Sequence, residues 1–211
     1  MRTAASLVAV LALLAVAAPA SAQSAVSVRT FALGSFQRMA AGQTFDTEME
    51  SSVQPFWGAG GQVVVGDRAY FEVTLSRFKR TGERAFVFNN QTFPLGIPVT
   101  SRITPLELVG GVRFRKGAAI TPYAGGGVGW YGYTEESSSS DPSENVDVSH
   151  AGFVLHGGAE FAIQKWLSVA GDLQYTHVPG ILGAGGVSAQ LGEDDLGGLA
   201  VRFRLVFVLT R

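Results

Sequence analysis

The sequence predicts an all-β protein whose eight strands close into an antiparallel up-and-down barrel, and three observations carry that expectation. The segment near the end of the chain alternates strictly, with Leu199, Val201, Phe203, Leu205, Phe207 and Leu209 on one face. Arg202 and Arg204 share the other face with Ala200, Val206 and Val208. A period of two is the signature of a strand, because successive side chains point to opposite sides of a sheet. Secondly, no apolar run beyond residue 22 approaches the ~20 residues of a membrane helix, whereas Leu199–Leu209 matches the roughly 9–11 residues of a tilted strand that crosses a bilayer. Thirdly, the connections between strand segments alternate between long and short, which suits brief turns at one end of an up-and-down membrane barrel and extended loops at the other. A soluble sheet would bury Leu199, Phe203 and Leu205 and leave the arginines in water; a membrane barrel reverses this.

The first residues have the order of an export signal: Arg2, an apolar run from Leu7 to Ala18, Pro19, then Ala20-Ser21-Ala22. A positive start, a short apolar stretch and small residues at a cut imply a signal peptide over residues 1–22 and a mature domain over 23–211. Without Arg2 the chain carries 15 basic and 17 acidic residues, so it offers no basic surface for nucleic acid. Cysteine is absent, which excludes disulfides and thiolate metal sites. Glycine, at 27 of 211 residues, is well above the usual ~7% and lies largely inside alternating stretches, where it suits close approach in a barrel wall.

Taken in order, the first strand runs from Ala25 to about Arg38, with its alternation blurred at Leu33-Gly34-Ser35. A polar connection, Ala40 to Gln54, leads to a second strand, Pro55–Val65, with Trp57, Ala59, Gly61, Val63 and Val65 on one face. Gly66-Asp67-Arg68 is a tight turn, since glycine and aspartate tolerate the backbone angles it requires. Strand three, Ala69–Phe78, sets Phe71, Val73 and Leu75 against Tyr70, Glu72 and Thr74. The long connection Lys79–Arg102 contains a small hairpin in which Phe86-Val87-Phe88 and Gln91-Thr92-Phe93 flank Asn89-Asn90. Connections of that length in a compact domain are commonly functional, which makes Phe86, Phe88, Asn89, Asn90 and Phe93 candidates for contact with a surface ligand.

Strand four, Ile103–Arg115, has Glu107 and Arg113 on its polar face, and Lys116-Gly117-Ala118 turns the chain. Strand five, Ile120–Thr134, carries glycine and tyrosine on one side and Ala124, Gly126, Val128 and Trp130 on the other, so its facing stays open. A hydrophilic connection, Glu135–Asp147, precedes strand six, Val148–Ile163, where His156 and Glu160 oppose Phe153, Leu155 and Phe161. Gln164-Lys165 is the next turn; strand seven, Trp166–Thr176, places Asp172 opposite Leu173 and Tyr175. A glycine-rich acidic loop, Pro179–Asp195, leads to the closing strand.

The polar faces together hold Glu72, Glu107, Arg113, Glu160, Asp172, Arg202 and Arg204. Buried charge is tolerated only when paired, and an eight-stranded barrel has an interior just wide enough for side chains to fill, so these residues are expected to form an ion-pair network inside a narrow lumen. Turn counting puts Glu72 and Arg113 at similar depth and lets Asp172 approach Arg202 or Arg204. Trp57, Trp130, Tyr131 and Tyr175 near the long-loop ends, with Trp166, Phe71 and Phe207 near the short turns, are expected to form two aromatic girdles at the lipid boundaries.

Ile120-Thr121-Pro122-Tyr123-Ala124-Gly125-Gly126-Gly127-Val128-Gly129, together with the leader and the closing alternation, resembles a strand pattern of the small outer-membrane β-barrels, the eight-stranded OmpA/OmpX-type domains of the outer membrane protein beta-barrel family. The resemblance spans essentially the whole mature chain. It implies an integral protein of the cell outer membrane, usually monomeric, surrounded by outer-membrane lipid and inserted by the barrel-assembly machinery. Many relatives end on an aromatic residue read by that machinery, whereas this chain ends Leu209-Thr210-Arg211. No enzyme is expected: the histidines at 150, 156 and 177 lack a converging nucleophile and acid, and His156, Glu160 and His177 lack metal-ligand spacing. Gly125–Gly129 is followed by neither helix nor lysine, so no phosphate loop and no cofactor is expected. The expected role is structural or surface-interacting through the long loops, the other readings being a narrow pore for small solutes and a soluble lipocalin-like binding barrel.

Overall fold

The computed structural model describes residues 26–88, 91–114, 119–137, 145–183 and 186–210. The expected leader, residues 1–22, lies outside them, as do Asn89, Asn90 and the side chains of Phe86 and Phe88. Eight strands form one closed antiparallel ring in sequence order: β1 (Val26–Met39), β2 (Val53–Val65), β3 (Ala69–Phe88), β4 (Gln91–Arg113), β5 (Ile120–Ser137), β6 (Val146–Ala162), β7 (Leu167–His177) and β8 (Gly198–Thr210). Among the described residues, two short helices sit in the long connections, α1 (Gly42–Met49) after β1 and α2 (Gly186–Leu191) after β7.

The ring closes where β8 pairs with β1, from Val28 beside Thr210 to Met39 beside Gly198. Closure removes the free edges that an open sheet would present. Along β8 the alternation separates the two environments: Leu199, Val201, Phe203, Leu205 and Leu209 are exposed on the outer wall, while Ala200, Arg202, Arg204 and Val206 are buried in the lumen. The outer wall continues around the barrel as Phe36, Trp57, Phe71, Leu75, Leu108, Val112, Val128, Leu155, Phe161, Val169 and Leu173. An apolar belt of this extent outside and charge inside is the inverse of a soluble barrel.

The short turns are built as the sequence demands. Between β2 and β3, Gly66 (φ 61°) and Asp67 (φ 58°) both lie in the left-handed region, and the Arg68 N–H donates to the Val65 carbonyl at 3.2 Å. Two consecutive positive φ values define the turn whose twist matches a hairpin. On β5 the facing is resolved: Thr121, Tyr123, Tyr131 and Tyr133 are buried inside, and Val128 and Trp130 are exposed outside. Two glycines make room for the lumen aromatics. A Cβ at Gly111 or Gly125 would lie 2.4 Å from the Tyr70 hydroxyl oxygen, so Tyr70 fits across β4 and β5 only because both positions lack a side chain.

The long connections differ from the sequence expectation. Lys79–Arg102 is not a loop carrying a small hairpin. It continues β3 and β4 as one ribbon, paired from Phe78 beside Ile103 to Phe88 beside Gln91 with an irregularity at Glu83/Ala85. The expected Phe86–Phe93 pairing is present at its tip, where the Phe93 side chain is exposed. Periodicity hid these strands because Gly82, Pro94, Gly96 and Pro98 interrupt the alternation and the outward face beyond the apolar belt turns polar, as where Thr81 and Thr100 share a hydrogen bond of 2.8 Å. Ala40–Gln54, read as a polar loop, contains α1, whose Phe45 and Met49 are buried. Pro179–Asp195 likewise contains α2. Both helices are too short to be stable alone and depend on tertiary packing.

Gly111→Ala should destabilise the barrel by about 1–3 kcal/mol through overpacking against Tyr70, while Gly110→Ala, whose Cβ meets only Phe71 at 3.7 Å, should be nearly neutral. Urea unfolding of the two neighbours, followed by the mobility shift of folded against heated protein in detergent gels, measures the difference.

Candidate functional site

Three layers of side chains fill the interior from the short-turn end to the long-loop end. At the short-turn end Glu160 accepts from Arg113 Nη1 at 2.7 Å and from Arg29 Nη1 at 2.9 Å. The middle layer centres on Asp172, a neighbour in register to Arg202 across β7 and β8. Its Oδ1 accepts from Arg202 Nε, its Oδ2 accepts from the Tyr123 hydroxyl at 2.7 Å, and Arg204 Nε lies 2.9 Å from Oδ2. Arg204 Nη1 donates to Glu72 at 2.7 Å, and the same carboxylate oxygen accepts from Gln62 Nε2 at 2.9 Å. Glu107 accepts from the Tyr131 hydroxyl at 2.9 Å and from Gln174 Nε2 at 2.8 Å, with Arg202 Nη1 at 3.8 Å.

The layer balances. Glu72, Glu107, Glu160 and Asp172 face Arg29, Arg113, Arg202 and Arg204, and all of these pairs lie inside the ring. His156 fits among them only in one tautomer. Both Arg202 and Arg204 donate to its Nδ1, and arginine cannot accept, so Nδ1 carries no proton. The proton is therefore on Nε2, which donates to the Tyr70 hydroxyl at 2.7 Å. The Arg204 guanidinium also lies over the Phe31 ring, 5.0 Å from its centroid, and 5.7 Å from that of Tyr123. Stacking of this kind suits a planar, weakly hydrated cation.

Above this layer a cavity of about 20 Å³, lined in part by Ser35, Thr74, Glu107, Gln174 and Arg202, has room for about one water. Beyond it the interior turns apolar. Met39, Phe45, Met49, Phe56, Phe78, Val99, Ile103, Tyr131, Tyr133, Val178, Ile181 and Leu196 form one buried cluster across the outer mouth. Contributions from α1 and from the β7–β8 connection close it over. Helix α1 is held at both ends. Glu193, from that connection, accepts from the Gln43 and Thr44 N–H groups at 3.0 and 2.7 Å and from the Thr44 hydroxyl at 2.7 Å. A carboxylate there satisfies two donors that the helix leaves open and complements its dipole. At the other end a Cβ on Gly82 would lie 2.0 Å from the Glu48 carbonyl oxygen, so the β3 ribbon admits the helix backbone only through glycine.

All seven residues expected in the lumen network are buried there; Asp172 meets Arg202 and Arg204 as turn counting suggests, whereas Glu72 and Arg113 do not meet. Glu72 pairs with Arg204, not with Arg113, because Glu72 is opposite Val109 and Arg113 lies four residues nearer the short-turn end. Tyr131 is a correction of a different kind: placed by sequence in the outer girdle, it is buried in the lumen on Glu107. Its neighbour Trp130 takes the outer wall, and two successive residues cannot share a face. Trp57, Trp130, Tyr175 and Trp166 are exposed outward, and Trp166 stacks on Phe207 with centroids 6.3 Å apart. Sequence reasoning missed Arg29, Gln62, Tyr70, Tyr123 and Gln174 as network members; the parity of each with an inward neighbour on its own strand was the available signal. It also gave Glu193 and Asp195 no role beyond membership of an acidic loop. Asp195 accepts from His177 Nδ1 at 2.6 Å and from the N–H groups of Val178 and Gly197 at 2.7 and 2.8 Å.

With this geometry in view, the family model for the outer membrane protein beta-barrel domain matches residues 7–201. The chain belongs to that family. Solved structures show the same fold at low identity. The outer membrane protein OprG from Pseudomonas aeruginosa aligns with a TM-score of 0.59 at 11% identity, covering 88% of this chain and 96% of that one. The N-terminal β-barrel domain of Pseudomonas aeruginosa OprF aligns at 0.50 and 12%, covering 87% and 97%. Outer Membrane Protein W of E. coli aligns at 0.50 and 14%, covering 89% and 100%. No curated protein matches the chain. The family is one of outer-membrane barrels, so the apolar belt faces lipid and the lumen is the enclosed interior.

Removing one partner of a buried pair leaves an uncompensated charge. Asp172→Asn, which faces both Arg202 and Arg204, should cost about 3–5 kcal/mol, against under about 1 kcal/mol for Arg102→Gln at the surface pair with Glu136; urea unfolding of both variants compares them. At the mouth, burial and then Glu135 push the Glu48 carboxyl up to about 7, with Arg84 acting in the opposite sense. A raised carboxyl stabilises the docked helix fully below the ordinary carboxylate range and loses that contribution as pH rises toward 7. Amide exchange in α1, corrected for intrinsic rates, should therefore lose protection between about pH 4.5 and 7, and Glu48→Gln should flatten the profile.

Proposed function

We propose that this protein is exported by its N-terminal signal and serves as a structural and surface-interaction barrel of the outer membrane, with a lumen closed to solutes. The observation that carries the reading is the charge-balanced network of Glu72, Glu107, Glu160 and Asp172 with Arg29, Arg113, Arg202 and Arg204, capped by the apolar cluster at the mouth. A solute would have to break several buried pairs and then open a packed apolar layer, each step costing several kcal/mol. With the interior so used, contact with other molecules falls to the outer end. There the β3–β4 ribbon extends past β2, whose pairing with β3 stops at Trp57 beside Arg77, and carries the exposed Phe93 and Leu95 near its tip. The barrel is a monomer in this reading, held by lipid and placed by the assembly machinery.

Reconstitution into planar bilayers tests the closed lumen. The folded protein, identified by its mobility shift on heating, should give no sustained single-channel openings. Stepwise conductance in the wild type would overturn the closed lumen and favour a narrow pore for small solutes. Recovery of the folded protein in solution without detergent would overturn the membrane placement.

A further inference from the structure

The outer wall carries a feature that the lumen and the loops do not use. Trp57 of β2 stands in register with Arg77 of β3, and Lys79, two residues farther out on the same face, stands in register with Arg102 of β4. All three cations belong to the outward parity of their strands, and Arg77 and Lys79 are exposed. Arg102 is paired with Glu136, at 2.6 and 2.9 Å, and Lys79 acts on the same carboxylate, so with Arg77 these four groups together keep a net positive charge. Like charges directly opposite on adjacent strands repel. Immediately below them the wall is hollowed into a shallow groove, floored by Ala59, Gly60 and Gly61 and bordered by Trp57, Leu75 and Arg77. Small residues make the floor, an exposed indole and a leucine make the sides, and the positive cluster stands at the long-loop end.

We propose that this face holds a phosphorylated lipid of the outer leaflet, with its phosphate between Arg77, Lys79 and Arg102 and an acyl chain lying in the groove beside Trp57. Charge complementarity selects the head: an anion beside Arg77 and Lys79 offsets the positive charge that Glu136 alone leaves uncompensated, and guanidinium groups bind phosphate oxygens in pairs. The aromatic level supplies the depth, since tryptophan settles at the boundary where headgroups begin. The groove supplies the tail, which a free anion lacks. The assignment rests on the membrane placement proposed above, with the long connections on the outer side.

The test uses the full-length protein carrying Trp130→Phe and Trp166→Phe, so that Trp57 alone reports, in micelles doped with lipids brominated on the acyl chain. Brominated phosphatidic acid should quench Trp57 at a lower mole fraction than brominated phosphatidylcholine. The Arg77→Gln/Lys79→Gln variant, still shifting its mobility on heating, should lose that preference by about fivefold for each cation removed. Equal quenching by the two lipids in the parent protein, or a preference unchanged in the folded variant, overturns the site. Inorganic phosphate that abolishes the preference at the concentration of the lipid phosphate overturns the lipid as occupant and assigns a free anion instead. Quenching by neither lipid indicts the membrane placement, whereas loss of selectivity alone leaves that placement standing.

Discussion

Charge enclosed by a β wall must be neutralised where it stands, and the pairing of Asp172 with Arg202 and Arg204 is the point at which this barrel meets that requirement. The three residues lie on the two strands that complete the ring before it closes on β1. Arg204 reaches Glu72 on β3, Arg202 approaches Glu107 on β4, and Tyr123 reaches in from β5. Strands distant in sequence are thereby tied through the centre as well as through their edges. His156 takes part as an acceptor for both guanidiniums, which is open to it only as the neutral imidazole. A buried ionic network is not in itself a strong source of stability, because desolvation offsets much of the attraction. What it does supply is a single arrangement: each charge has one set of partners, and a slip of one residue in a strand that carries one would turn that charge toward lipid.

The mouth is organised by different physics. There the interior no longer faces a charge-lined lumen, and the outer connections bring apolar groups inward: Phe45 and Met49 from α1, Ile181 and Leu196 from the β7–β8 connection. The helix is held by backbone contacts that allow little latitude. Its first turn is bound by Glu193 and its last presses its backbone on Gly82. The polar and acidic residues of these connections therefore work as braces of the cap, with Asp195 gathering His177, Val178 and Gly197 around one carboxylate. Burial and Glu135 draw the Glu48 carboxyl up toward neutral pH at this packed mouth, within the last turn of α1.

On the outside the wall is graded in the same direction as its surroundings. Trp166 stacked on Phe207 marks the short-turn boundary, aliphatic side chains occupy the middle, and Trp57 and Trp130 mark the outer boundary. Cations follow directly beyond Trp57. The order of ring, hydrocarbon, ring and charge is that of a bilayer with its headgroups, and the lipid site proposed at Arg77, Lys79 and Arg102 is an elaboration of it.

Strand number, strand order and the inward set of seven charged residues were legible in the sequence, because a period of two with one oily face survives wherever a strand separates lipid from lumen. It failed where that contrast vanishes. The Lys79–Arg102 ribbon turns polar on its outward face and is broken by Gly82, Pro94, Gly96 and Pro98, α1 has two apolar residues in a polar stretch, and Tyr131 has chemistry suited to either side of the wall. Local pattern by itself determined eight strand segments within the apolar belt and the inward parity of those with one oily face, but not the facing of β5 or the outward reach of β3 and β4. Only the closed structure decided who meets whom: that Glu72 finds Arg204, that Glu160 takes both Arg29 and Arg113, and that Glu193 caps a helix 150 residues before it in the chain. Those pairings depend on strand tilt and on loops folding back over the mouth, and both are properties of the whole ring that no single strand contains.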